Sequence, residues 1–256
     1  MQFPDTTKLY IYKPGNQYTL NIVSEQLLWA SKPEHFNDPF DCELRIATPV
    51  TEDSVRAAFQ HRNGEPNNWP EHVSQFASTI LDAHGNFTQA GRTKIDHETQ
   101  VLFDTNRDSG IVCLTERPDS ILMWSHYALH HTGVCLQFER NPTNTLGDDG
   151  ICSRVVYSEL YPQIDLGKIL SHADGRTLDL MMSYKASEWA YEKEWRLITE
   201  KGDMNCRLPG RLERVIFGIR TDHSYKAAMT QICERQMIPL AQALKSERQF
   251  RIEIPA

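Results

Sequence analysis

The chain has 256 residues, 40% of them apolar and 24% charged, with a formal net charge of −7. That length supports one substantial core, a single domain over residues 1–256. The acidic balance argues against broad electrostatic binding to nucleic acid or anionic membrane. No apolar run approaches the roughly 18–20 residues of a membrane helix. The opening Met1-Gln2-Phe3-Pro4-Asp5 carries neither a basic nor an apolar leader region, so the expected location is cytoplasmic.

Lys8 to Tyr12 alternates apolar and polar residues and predicts a first strand. Thr19 to Gln26 predicts a helix, with Leu20, Val23 and Leu27 at helical spacing, and Leu27 to Ala30 a second strand. Residues 51–107 differ in character: Val55, Ala58 and Phe59 mark one helix, Val73, Phe76, Ala77 and Ile80 another, and Ile95 to Phe103 a third. This polar block, with a loop at His61 to Asn68, reads as a helical insertion or lid. Strand character returns at Ile111 to Leu114, followed by a helix over 119–131 that Gly133 stops, and by a strand at Val134 to Phe138. Ile151 to Tyr157 predicts a strand, and a helix begins near Thr177 with Leu178, Met181, Met182 and Trp189 on one side. Strands at Glu194 to Thr199, Arg214 to Ile219 and Phe250 to Ile254, with a helix at 222–235, complete the pattern. Helices and strands mix without βαβα regularity, which predicts an α+β fold with a mixed or antiparallel central sheet and flanking helices.

Six widely spaced cysteines form no Cys-x-x-Cys pair, so reduced thiols and no structural metal are expected. His126 and His130 stand at i, i+4 but lack the rest of a zinc motif. His126 itself reads as a core histidine, and His130 and His131 as complements to a helix C-terminus. No Gly-rich phosphate loop is present.

Three blocks carry a resemblance. The first is Trp29-Ala30-Ser31-Lys32-Pro33 with Phe36-Asn37-Asp38-Pro39-Phe40-Asp41-Cys42. The second is Met123-Trp124-Ser125-His126-Tyr127-Ala128 with His131, Gly133, Val134 and Cys135. The third is Lys185 and Trp189 with Tyr191-Glu192-Lys193-Glu194-Trp195-Arg196-Leu197-Ile198. Together they resemble the bacterial domain-of-unknown-function family numbered 2971 along nearly the whole chain outside 51–107. That family's first strand often ends Tyr-Arg, where this chain has Tyr12-Lys13. Such families often sit among bacterial defence, phage defence or toxin-like genes, which implies a protein or nucleic-acid target.

Read as one strand, Glu192, Glu194 and Arg196 share a face and Trp195 points to the core. One reading is a Glu194–Arg196 ion pair on a half-exposed sheet. The sharper reading is similar in motif order to the ADP-ribosyltransferases, whose Glu-x-Glu strand stabilises the oxocarbenium-like ribose as nicotinamide leaves NAD. That similarity implies catalytic roles for Glu194 and Glu192, with His126 as a further catalytic candidate. Tyr12, Lys13, Ser31, Asn37, Asp38, Trp124 and Tyr127 would bind NAD or another nucleotide-like molecule. The rivals are a metal-dependent hydrolase or nuclease built on Asp41, His126 and Glu194, and a non-enzymatic nucleotide- or partner-binding module using the aromatic wall.

Overall fold

The structure is a computed structural model that describes residues 1–43, 51–162 and 182–255. Its centre is a seven-stranded sheet in the order β11-β10-β4-β1-β3-β8-β5. These are β1 (Lys8–Lys13), β3 (Gly110–Thr115), β4 (Val134–Glu139), β5 (Cys152–Arg154), β8 (Glu194–Thr199), β10 (Leu212–Phe217) and β11 (Leu240–Gln242). Every neighbouring pair is antiparallel except β10–β11. Two-stranded ribbons flank it: β2 (Leu27–Ala30) with β9 (Met204–Arg207), β6 (Val156–Ser158) with β7 (Tyr184–Ala186), and β12 (Leu244–Lys245) with β13 (Ile252–Glu253). The fold is α+β with a mostly antiparallel sheet, as the sequence pattern predicts.

Strand alternation gives the sheet two unlike faces. Leu9, Ile11, Val112, Leu114, Leu136, Phe138, Trp195 and Val215 point into the larger core, against α1 (Gln17–Glu25) and α6 (His223–Gln236). Tyr12, Cys135 and Ile216 point to the other face, against α5 (Ile121–Tyr127). The caps explain where these helices begin: Asn16 accepts from Thr19 N, Ser120 from Met123 N, and Asp222 from Ser224 N and Tyr225 N. The three helices expected between residues 51 and 107 form as α2 (Glu52–Asn63), α3 (Glu71–Ile80) and α4 (Gln89–Asp108), and share a small core at Val55, Ile80 and Ile95. No helix among the described residues is long and apolar enough to cross a membrane.

Several expectations need correction. The helix over 119–131 stops at Tyr127, because Leu129, His130 and His131 all adopt left-handed backbone, with φ of 47°, 56° and 69°. Their amides turn back: His130 N donates to Ser125 O, His131 N to Trp124 O, and Gly133 N to Ala128 O. The single strand expected over Ile151 to Tyr157 is two, since the Val155 amide reaches the Glu194 carbonyl while β6 leaves the main sheet to pair with β7. Only Ile252–Glu253 of the expected final strand is extended, and Phe250 sits on a tight connection. The sequence pattern predicts no strand at β9: its Met204-Asn205-Cys206-Arg207 alternates over only four mostly exposed residues and is held by pairing with β2. The start of the helix expected from Thr177, with Leu178 and Met181, lies outside the described residues; its far end toward Trp189 is not α-helical, because Tyr184–Ala186 pairs as β7 and Trp189 sits on the 3-10 turn Ser187–Glu192.

The feature that makes room for a site is a seam. β1 runs beside β4 for its whole length, but meets β3 only at Tyr10–Thr115. β3 is instead zipped to β8 from Gly110 to Thr115 and bridged to β2 at Ser31–Ile111. Past Tyr10 the strands diverge, and the sheet opens into a cleft.

Candidate functional site

The cleft encloses about 440 Å³ between β1 and β3. Tyr10, Tyr12, Trp29, Phe36 and Tyr127 give it aromatic walls, and Lys13, Ser31, Asn37, Cys113, His126 and the charged residues below give it polar groups.

At one side lies a buried ionic cluster. Asp41, Lys185, Glu192, Glu194 and Arg196 are each at most 9% exposed. Lys185 Nζ donates to Glu192 Oε2 at 2.6 Å and to Glu194 Oε2 at 2.8 Å, and lies 3.5 Å from Asp41 Oδ2. Arg196 Nη2 donates to both Asp41 oxygens at 2.7 and 2.8 Å, and its Nε donates to Glu194 Oε1 at 2.9 Å. Its Nη1 donates to the Met182 carbonyl and to Cys42 Sγ. Tyr127 OH donates to Glu192 Oε1 at 2.6 Å, and the Glu194 amide donates to Tyr157 OH at 2.8 Å. Three carboxylates thus face two cations, and the cluster carries a formal charge of −1. Burying charge is tolerated only when pairing and hydrogen bonds are this complete.

The two glutamates differ electrically. Burial opposes ionisation of Glu194, but Arg196 and Lys185 overcome it and hold its carboxyl below the ordinary range. For Glu192 burial outweighs Lys185 and Tyr127, so its carboxyl is pushed up. Burial likewise disfavours charge on Lys185, yet Glu194, Glu192 and Asp41 raise it.

Across the seam stands Lys13 at the end of β1. Burial lowers its pKa, and among the described residues its ammonium has no hydrogen-bond or ion-pair partner. Cys113, on the intervening strand, presents an exposed thiol to the cleft between Lys13 and the carboxylates.

The structure therefore brings Tyr12, Lys13, Ser31, Asn37, His126, Tyr127, Glu192 and Glu194 to one cleft. Trp124 is not there. It is fully buried, its Nε1 donates to the Pro118 carbonyl, and its ring supports Tyr12 edge-on at 5.1 Å. Asp38 also faces elsewhere, accepting from Trp189 Nε1 at 2.7 Å. His126 is no core histidine: it is exposed at the cleft rim, with Nδ1 3.2 Å from Tyr191 OH.

Glu192-Lys193-Glu194 is not one strand. Glu192 ends a 3-10 turn and Lys193 is left-handed at φ 45°, while Thr115 Oγ1 pins the Glu192 carbonyl. The two carboxylates meet through Lys185 rather than through the pleat. The Glu194–Arg196 pair exists, with Trp195 in the core, but it is buried rather than half-exposed. Asp41 comes from a segment distant in sequence and Lys185 from β7, just before the 3-10 turn that carries Glu192, and only their place in the resembling blocks signalled them.

An α+β protein with an aromatic-walled cleft beside a buried ionic cluster is the class that fold and site define. Residues 123–197 match the model of the family described as "Protein of unknown function (DUF2971)", the family expected from the sequence blocks. That segment carries α5, Lys185, both glutamates and Arg196. No curated protein and no solved structure matches the chain.

Proposed function

We propose that the cleft binds NAD and that the protein is an ADP-ribosyltransferase-like enzyme. One observation carries this reading: a lone lysine and a net-negative carboxylate cluster share one cleft, on strands separated by β3. Glu194 is level with Tyr10 through Thr115, so two strand spacings and a three-residue offset along β1 put about 14 Å between the two backbone positions. The ligand that suits such a site carries an anion at one end and a cation at the other, with flat rings between. NAD has that layout, with a pyrophosphate for Lys13, a cationic nicotinamide ring for the aromatic walls, and a ribose for the carboxylates.

The chemistry follows from the charge distribution. When the nicotinamide–ribose bond breaks, the bonding pair leaves with nicotinamide, which becomes neutral, and positive charge moves to the ribose. A cluster already holding −1 stabilises that charge more than it stabilises the bound ground state. The acceptor oxygen, from water or a macromolecule, then bonds to the ribose carbon, and its proton passes to Glu192. A carboxyl whose pKa is raised suits that transfer at neutral pH.

A metal-dependent hydrolase on Asp41, His126 and Glu194 is less well supported. Lys185 and Arg196 already hold the carboxylate oxygens that a metal would need.

The test is release of nicotinamide from NAD by the purified protein. Wild type should turn NAD over, and Glu192→Gln should lose at least about 100-fold in kcat. Lys13→Ala should raise KM with a smaller effect on kcat, as loss of a binding contact does. The acid limb of the pH–rate profile should sit above the ordinary glutamate range of about 4.3. Absence of any NAD turnover, with and without added protein or nucleic-acid acceptors, would sink the reading.

A further inference from the structure

A groove of different character from the cleft is lined by Ile121 of α5 and by the β12–β13 hairpin. The β12–β13 hairpin and its connection, residues 246–251, form one wall of a groove of about 490 Å³ whose other side includes Ile121, His131 and Ile219. The connection is closed by Ser246 N donating to Arg251 O and Arg251 N donating to Gln249 O. At its tip the Phe250 ring is wholly exposed, at 102%. Ile121 and Leu122, on the neighbouring helix, are also exposed.

The charge here runs against that of the chain. Arg251 is paired with Glu253. Arg220, Lys245 and Arg248 have no ion-pair partner among the described residues, and Glu247 is the remaining carboxylate on the connection. Burial and then Arg220, His130 and Lys245 all disfavour a proton on His131, which reports a positive field at the floor of the groove. Ser125 Oγ donates to Ile121 O and so accepts from His131 Nε2, which places the ring proton on Nε2. The buried Nδ1 is then a bare acceptor without a partner.

We propose that this hairpin groove binds single-stranded nucleic acid. Unpaired Lys245 and Arg248 lining one groove with a fully exposed aromatic ring, and Arg220 beside His131 at its floor, are what a flexible strand uses: bases stack on the ring while Lys and Arg meet the phosphates. A chain with a net charge of −7 confines such binding to this patch. An acidic peptide would use the cations but would leave Phe250 idle.

The test is fluorescence anisotropy of a labelled 12-nucleotide oligo(dT) with the full chain. Binding should weaken with salt, with a slope in log K against log salt near −2 for about three phosphate contacts. Phe250→Ala should weaken it about tenfold, the cost of one lost base stack. Arg248→Ala should reduce the slope by about 0.7. Both positions are exposed at the tip, so melting temperatures should be unchanged. No binding at low salt, binding indifferent to Phe250→Ala, or equal affinity for poly-glutamate would each overturn the proposal. None of these outcomes depends on NAD turnover at the cleft.

Discussion

Lys13 is the residue in which function and stability conflict most directly. Lys13 is half-buried, and its ammonium gives up part of its hydration without a pairing partner in return, which lowers its pKa. Lys13→Met should therefore stabilise the fold at neutral pH by about 0.5–2 kcal/mol, as replacements at functional positions often do. The folded-state pKa lies below the unfolded value of about 10.4, so between those two values the unfolded chain binds the extra proton. Wild-type stability from this group thus rises with pH through that interval, and the advantage of Lys13→Met should shrink toward pH 10. Urea melts of both proteins across pH 7–10 check it; an advantage that does not depend on pH would show that lost packing, not charge, is being measured. Arg196 presents the opposite case. Arg196→Met strips Asp41 and Glu194 of their guanidinium in a fully buried setting and should cost about 3–5 kcal/mol in the same melts.

At the scale of elements, the turn after α5 decides where the cleft ends. Gly133 reads in the sequence as a helix stop, and its role differs from that reading. The left-handed positions are Leu129, His130 and His131, whereas Gly133 is needed for close approach: a Cβ there would lie 2.0 Å from the Lys13 carbonyl oxygen. Gly133→Ala should thus cost more than about 2 kcal/mol and should also disturb Lys13. His130→Gly, at an exposed position with φ of 56°, should be neutral or stabilising by about 1 kcal/mol. Paired denaturant melts of these variants separate the two explanations.

The same segment shows what could be read from sequence. The start of α5 was legible, because Ser120 before an apolar run is a local signal. Its end was not, since three consecutive non-glycine residues in left-handed backbone contradict local preference and are held by amides folding back onto the helix. Glu194, Arg196 and Trp195 were legible as a face and a core by alternation. Glu192 was misplaced because a single left-handed residue, Lys193, shifts it out of register. Asp41 joins the cluster through long-range contact and Lys185 through the turn between β7 and β8, and no periodicity encodes either. Trp124 illustrates the reverse error: an aromatic in a polar-looking turn suggested a ligand wall, and it is core.

Over the whole molecule, the open seam divides the sheet into β11-β10-β4-β1 and β3-β8-β5, joined across the middle at Tyr10–Thr115. Lys13 belongs to the first half, and Glu192 and Glu194 flank the second. A ligand held by both ends would tie the halves together, so binding should be felt well beyond the contact residues. A carba analogue of NAD, whose ribose ring oxygen is replaced by carbon, should bind without being cleaved. At ten times its dissociation constant it contributes about 1.4 kcal/mol, which for a chain of this size raises Tm by roughly 3–5 °C. In hydrogen exchange the slowed amides should include Ile11 and Lys13 on β1 and Cys113 on β3, on opposite sides of the seam. Lys13→Ala should keep the slowing on β3 and lose it on β1, because the analogue would then be anchored at the carboxylate side alone. Slowing confined to one half in the wild-type protein would show that the ligand does not span the seam, and the two-ended reading of the cleft would fall with it.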